Sequence, residues 1–331
     1  MNAPSVLRKP FGAVCVWCSS LSGYSTSRTL FIMNVRPPHM ISSRPVVLGA
    51  TVAVAAGVAY GLWKRRHASA TSAASCCCPP GSLPPLAALS SGETPARGDE
   101  CQVAGLAAYV TGTANAERCV VVMTDVWGFR AGRHRQVCDV LASSLQCSVI
   151  MPDLFHGDAL TSDNGPGTAG FAPWVKQWPA SRVSTDLDGV LATVPSTCKV
   201  GVVGFCWGSF AALITAAGTS KALRAACFAH PSHRKVMENI HGFAPEDVGE
   251  FYLGAVRAPT LCLTAGNDDP RCKPGGVDEK MLGLADVPTK FEEFDTMSHG
   301  WVTKGDITDP ETAQQVRRAV GLISGWLNEH L

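Results

Sequence analysis

The 331-residue sequence predicts an α/β protein: a mostly parallel sheet with helices on both faces, preceded by a non-globular amino-terminal leader. Three observations predict it. From residue 119 onward, short β-branched runs alternate with longer amphipathic stretches. The strand runs are continuously apolar rather than alternating, as strands covered on both faces are. The charge is also divided, for residues 1–92 hold eight bases and no acid, leaving twenty bases against all 27 acids in the rest.

Strands are expected at Cys119–Thr124, Ser148–Met151, Lys199–Val203, Ala225–Phe228, Thr260–Thr264 and Phe291–Phe294. Helices are expected at Gly132–Leu145, Asp186–Thr193, Phe210–Ala217 and Glu311–Glu329. In sheets of this kind ligands bind beyond the carboxyl ends of the strands, so chemistry is sought just after each one.

The leader and the domain differ in charge by sign, +8 against −7. A negative folded part argues against a nucleic-acid surface. Residues 1–45 are rich in Ser, Arg and Pro, as a targeting peptide is. Val46–Trp63 follows, 18 residues without a charge, closed by Lys64-Arg65-Arg66. As a helix it spans about 27 Å, near the thickness of a bilayer core, and is expected to be a transmembrane anchor. Residues 64–98, interrupted by Pro79, Pro80, Pro84, Pro85 and Pro95, form a linker, and residues 99–331 the single folded domain, expected to be a monomer. The 14 cysteines lack the spacing of a disulfide framework and are expected to be mostly reduced.

Directly after Lys199–Val203 stands Gly204-Phe205-Cys206-Trp207-Gly208, a G-x-C-x-G between strand and helix. This is the form of a nucleophile elbow, in which a tight turn lifts the central residue above the sheet edge. At a helix amino terminus, Cys206 is expected to favour the thiolate. A base and an orienting acid follow in the order such enzymes use: Asp268 after Thr260–Thr264, with Asp269 as its neighbour and substitute, and His299 after Phe291–Phe294. The backbone N–H groups of Trp207 and Val126 are the expected oxyanion donors. Asp125, beside Val126, is expected to reach Cys206.

These motifs resemble the dienelactone hydrolase family, particularly its carboxymethylenebutenolidase-like branch. The resemblance rests on Cys77-Cys78-Pro79-Pro80-Gly81, Thr124-Asp125-Val126-Trp127-Gly128-Phe129, Met151-Pro152-Asp153-Leu154-Phe155-His156-Gly157-Asp158, the elbow, His230-Pro231-Ser232 and His299-Gly300-Trp301. It implies an α/β-hydrolase fold, a Cys206, Asp268, His299 triad, no metal or organic cofactor, and a small lactone or ester as substrate. Trp127, His230 and Trp301 then become candidate substrate contacts. The chain departs from the family at Ser209, where a second glycine is usual, and at Trp301, where Phe is commoner. Asp125 stands where bacterial members carry Glu, and Thr303 where they carry a carboxylate-binding arginine. Lys304, one residue on, is the nearest base to meet an anionic substrate group. Two other functions fit the same fold: a membrane-tethered binding protein without turnover, and a redox sensor in which Cys206 needs a resolving thiol, with Cys272 the nearest loop candidate.

Overall fold

The computed structural model describes residues 77–84, 94–114, 116–218 and 223–331. The leader at 1–45, the apolar run at 46–63 and most of the linker lie outside the described residues. Among the described residues no helix is long and apolar enough to cross a membrane.

The strands are β1 (Asp99–Val103), β2 (Leu106–Gly112), β3 (Arg118–Met123), β4 (Ser148–Pro152), β5 (Lys199–Phe205), β6 (Ala225–Ala229), β7 (Thr260–Ala265) and β8 (Thr289–Phe294). They form one sheet in the order β1-β2-β4-β3-β5-β6-β7-β8. From β4 to β8 every pairing is parallel, and β2 joins β4 antiparallel. The hairpin β1–β2 was not anticipated. Its outer strand, DECQV, is largely exposed and carries charge, so it lacks the apolar run that marks the inner strands.

Alternate residues of the parallel strands feed two cores. On one face Val121, Met123, Val202 and Phe228 meet Val183 and Leu187 of α3 (Ala180–Thr193) and Phe210 of α4 (Gly208–Gly218). On the other, Val120, Val122, Val203 and Phe205 meet Leu141 of α1 (His134–Leu145) and Val316, Ile323 and Leu327 of α7 (Pro310–His330). Each such side chain contributes about 1.5–3 kcal/mol when fully buried, which is what holds both helix layers against the sheet. The apolar positions of α7 recur at helical spacing, and its start is fixed by Asp309, whose carboxylate accepts from the Thr312 N–H, with Pro310 in the first turn. Helix α3 begins six residues before the expected Asp186. Arg182, Ser184 and Thr185 hide that first turn in the sequence, although Val183 already faces the core.

The smaller helices α2 (Phe171–Val175), α5 (Val277–Gly283) and α6 (Trp301–Lys304) sit in connections, and irregular turns at Lys235–Ile240 and Val248–Tyr252 bridge β6 to β7. Strand order reverses at β3. The chain steps from β3 to β4 on one side, and β5 then returns to the other side of β3. The carboxyl ends of β3 and β5 therefore flank a switch point, the place where ligands bind in sheets of this kind.

Candidate active site

Cys206 directly follows β5 at that switch point, with a φ of 54°. A side-chain-bearing residue pays strain in this left-handed region, and such strain persists only where neighbours enforce it. The neighbours here are Gly204 and Gly208. A Cβ on Gly204 would lie 2.2 Å from the Gly208 oxygen, and one on Gly208 would lie 2.3 Å from the Met123 oxygen. The turn packs against its own helix and against β3, and only glycine fits at either flank. The sequence led us to expect an elbow standing clear of the sheet. Instead Cys206 has no exposed surface, because residues 77–84 pass over it.

The register of the sheet brings the other groups to the same end. Met123 pairs with Gly204, which sets Asp125 and Val126 beside the elbow, and Phe205 pairs with Ala229, which sets His230 and Ser232 on the other side. Ala265 pairs with Phe294, so the loops carrying Asp268 and His299 leave the sheet together. His299 Nδ1 lies 2.6 Å from Asp268 Oδ1, and the second oxygen of Asp268 accepts the Ala265 N–H at 2.7 Å. Asp269 is turned away and paired with Arg271 at 2.8 Å, so of the two adjacent acids Asp268 is the one that meets His299. Ser232 Oγ sits 3.5 Å from both Cys206 Sγ and His299 Nε2.

Burial alone would raise the Cys206 pKa. Hydrogen bonds from the Cys77 and Cys78 thiols and the positive charge of His299 outweigh it and hold that pKa well below the ordinary thiol range. Burial would likewise discharge His299, but the Cys206 thiolate and then Asp268 push its pKa up to about 9. Each charge stabilises the other, which lowers the thiol's pKa and raises the imidazole's. Other core thiols behave oppositely: burial pushes Cys147 up to about 11 and Cys227 upward as well.

Trp207 and Val126 are buried next to the elbow, and Trp127 is half-buried against the core. His230 and Trp301 are buried, with ring centroids 5.3 Å apart, and His230 lies 5.1 Å from the His299 ring. Neither ring nitrogen of His230 nor the indole N–H of Trp301 has a hydrogen-bonding partner among the described residues. Burial and then the His299 charge press the His230 pKa well below its usual value, so this ring is neutral.

Two expectations change. Asp125 does not turn to Cys206: its carboxylate lies 3.4 Å from Lys304 Nζ, accepts the Thr303 hydroxyl at 3.2 Å and the Trp127 N–H at 3.0 Å, and faces His134 at 3.7 Å. Lys304 is 96% buried rather than presented as a surface cation. Burial opposes its charge, but Asp125 together with the Cys206 and Cys78 sulfurs outweighs burial and raises its pKa. Breaking such a pair from one side strands a buried charge. Lys304→Met is therefore expected to lower the unfolding free energy by about 3–5 kcal/mol, and the double variant with Asp125→Asn to lower it by less than the sum of the two singles. Urea titrations of the three variants check this; additive losses would mean the two groups do not interact.

Sequence reasoning also missed the bracing of the site. Asn267 accepts the His299 N–H at 2.7 Å through its amide oxygen and donates to the Pro80 oxygen at 2.9 Å, while Leu83 N–H donates to the His299 oxygen at 3.0 Å. The segment at 77–84 is thereby sewn to the histidine loop. Cys78 Sγ lies 3.7 Å from Cys206 Sγ and 3.7 Å from Cys77 Sγ. Cys272, the loop thiol considered from sequence, lies instead against His233 at 3.9 Å. A separate cleft of about 580 Å³, lined among others by Ala180, Phe243, Asp247, Phe251 and Tyr252, does not include Cys206, Asp268 or His299.

A mainly parallel sheet with a nucleophile elbow at its switch point defines an α/β-hydrolase. The model described as the dienelactone hydrolase family matches residues 106–331, and the chain belongs to that family, whose members cleave ester and lactone bonds. It is 26% identical over 241 residues to the carboxymethylenebutenolidase homolog of Mus musculus, covering 71% of this chain and 91% of that one. The Homo sapiens homolog is 25% identical over 246 residues, with the same coverage of both chains. Among solved structures, a dienelactone hydrolase from Anabaena variabilis matches 76% of this chain and 99% of its own at 18% identity, with a TM-score of 0.45.

Proposed function

We propose that the chain hydrolyses lactones or activated carboxylic esters through a thioacyl intermediate on Cys206. The observation that carries this reading is the buried Cys206 sulfur at the strained elbow beside His299, itself held by Asp268 at 2.6 Å. The thiolate attacks the carbonyl carbon, and the oxygen that gains the electron pair is received by the Trp207 and Val126 N–H groups. Collapse expels the alkoxide, which takes the proton from the His299 imidazolium. Neutral His299 then draws a proton from water as the water attacks the thioester, and Cys206 leaves as thiolate. Asp268 fixes the ring so that Nε2 faces the reacting atoms.

The unpaired nitrogens of neutral His230 and the indole of Trp301 suit a small substrate with oxygen acceptors near its carbonyl. Lys304, balanced by Asp125, tunes the charge of the site more than it grips a carboxylate. An ester and lactone panel run on wild type and Cys206→Ala tests the proposal, with intact-mass detection of an acyl adduct in rapidly quenched wild type. No adduct, together with unchanged turnover in the variant, would overturn it.

The acid-free leader and the charge-free run Val46–Trp63 support a membrane-anchored, organellar placement of the domain. A fluorescent reporter carrying residues 1–92 is expected to collect on an organelle membrane and resist carbonate extraction. A diffuse reporter would sink that reading.

A further inference from the structure

Building on Cys206 as the nucleophile, we propose that Cys78 is its resolving thiol: a hydroperoxide oxidises Cys206, and Cys78 captures it as a disulfide that shuts the site. The two sulfurs are 128 residues apart in sequence yet 3.7 Å apart in space, and both are buried. That separation is ordinary sulfur contact, and bond formation asks for a further approach of roughly 1.7 Å, within the reach of side-chain rotation. Cys78 is also not a casual neighbour. It rides on the segment at 77–84, which the Asn267 amide and the Leu83 N–H tie to the histidine loop directly over the nucleophile. Any ester must lift this segment to reach Cys206, and a small hydroperoxide enters by the same movement.

The electrons balance in two steps. The Cys206 thiolate attacks the terminal oxygen of the hydroperoxide; an S–O bond forms, the O–O bond breaks, and the departing alkoxide or hydroxide takes the His299 proton, leaving a sulfenic acid. When the segment closes, the Cys78 thiol attacks the sulfenic sulfur; the S–S bond forms, the S–O bond breaks, and hydroxide leaves with the thiol proton as water. Two thiols are oxidised and one peroxide is reduced. The nucleophile is consumed, the segment is stapled across the site, and Cys206 is spared further oxidation to the sulfinic acid. A small dithiol reverses the bond by exchange. Burial raises the pKa of the core thiols Cys138, Cys147, Cys227, Cys262 and Cys272, so they are poorer nucleophiles toward a peroxide than Cys206.

The test uses the full chain, hydrogen peroxide as the oxidant and a chelator throughout, so that a bridging metal ion does not mimic inhibition. Wild type is expected to lose at least tenfold in ester hydrolysis, to regain it with dithiothreitol, and to yield a Cys78–Cys206 linked peptide on non-reducing digestion. Cys78→Ser, compared with its own untreated rate, is expected to give no linked peptide, to hold a sulfenic acid on Cys206 that a 1,3-dicarbonyl reagent labels, and to lose activity beyond recovery in excess peroxide. Cys77→Ser, compared with its own untreated rate, is expected still to yield the Cys78–Cys206 linked peptide and to recover with dithiothreitol. Absence of the linked peptide in wild type, a link from Cys206 to any other cysteine, or equal recovery in Cys78→Ser would overturn the proposal. Turnover by untreated Cys206→Ala reports on the hydrolytic reading alone, so the two failures are told apart.

Discussion

Cys206→Ala is expected to lower kcat/KM for an activated ester by at least about 10⁴-fold, near 5.5 kcal/mol of barrier at ~1.4 kcal/mol per decade. Nothing else at the site replaces the thiolate as attacking group. Ser232 is close, but its hydroxyl stands 3.5 Å from both Cys206 and His299 and lies off the strained turn that aims the nucleophile. What remains after substitution is the acceleration that donors and binding give alone, about 10³–10⁴ over water. The fold should hold. Alanine carries the same Cβ into the positive-φ position, so backbone strain is unchanged, and the atom removed is a single sulfur. A thermal midpoint within about 4 °C of wild type, roughly 1 kcal/mol for a domain of this size, separates loss of chemistry from loss of structure. Hydrolysis within tenfold of wild type would rule out the covalent route.

The elbow could be read in the sequence because its constraints are local. A strand, a turn too tight for side chains and a helix follow one another directly from Lys199 to Gly218, and both glycines are demanded by backbone oxygens under 2.4 Å from where a Cβ would sit. The parallel strands were legible for a similar reason, since burial on both faces leaves a continuous apolar run. Long-range pairings leave no such trace. Asp125 and Lys304 meet across 179 positions because α6 buries its last residue against the loop that follows β3, and no spacing rule joins them. Isolated, Asp125 beside the nucleophile looks like its partner, and Lys304 after the histidine looks like a substrate anchor; together they cancel each other.

Cys78 lay within the Cys77-Cys78-Pro79-Pro80-Gly81 motif, but its contact with Cys206 was hidden by its setting. In a Pro-rich stretch outside the strand pattern it reads as linker, whereas the structure places it against the nucleophile. Ser232 lay within a recognisable His-Pro-Ser motif, but its role depends on the register of β6 against β5, which places the residues after Ala229 beside Cys206. These features share one cause. Each is a contact between loops that the sheet gathers at one end, and the loops carry no periodicity of their own.

The orienting acid gives the second large effect. Asp268→Asn is expected to cut kcat/KM by about 10²–10⁴-fold while leaving substrate binding nearly unchanged. Asp268 accepts from two donors, the His299 ring and the Ala265 N–H, one on each oxygen. An amide has one acceptor oxygen, so one donor must then face an NH₂ group. Either the imidazole turns or takes the wrong tautomer, or the strand end loses a buried hydrogen bond. The pH profile distinguishes an electrostatic role from mere packing. Wild type should be bell-shaped: activity falls on the acid side as the Cys206 thiolate is protonated, below the ordinary thiol range, and on the alkaline side as His299 gives up its proton near about 9. Removing the Asp268 charge takes away one of the two anions that raise the His299 pKa, so the alkaline limb should move to lower pH. With a weaker imidazolium the thiolate loses support, and the acid limb should move upward, narrowing the bell from both sides. Asp268→Asn with wild-type limbs and kcat/KM within tenfold of wild type would show that this carboxylate neither charges nor orients His299.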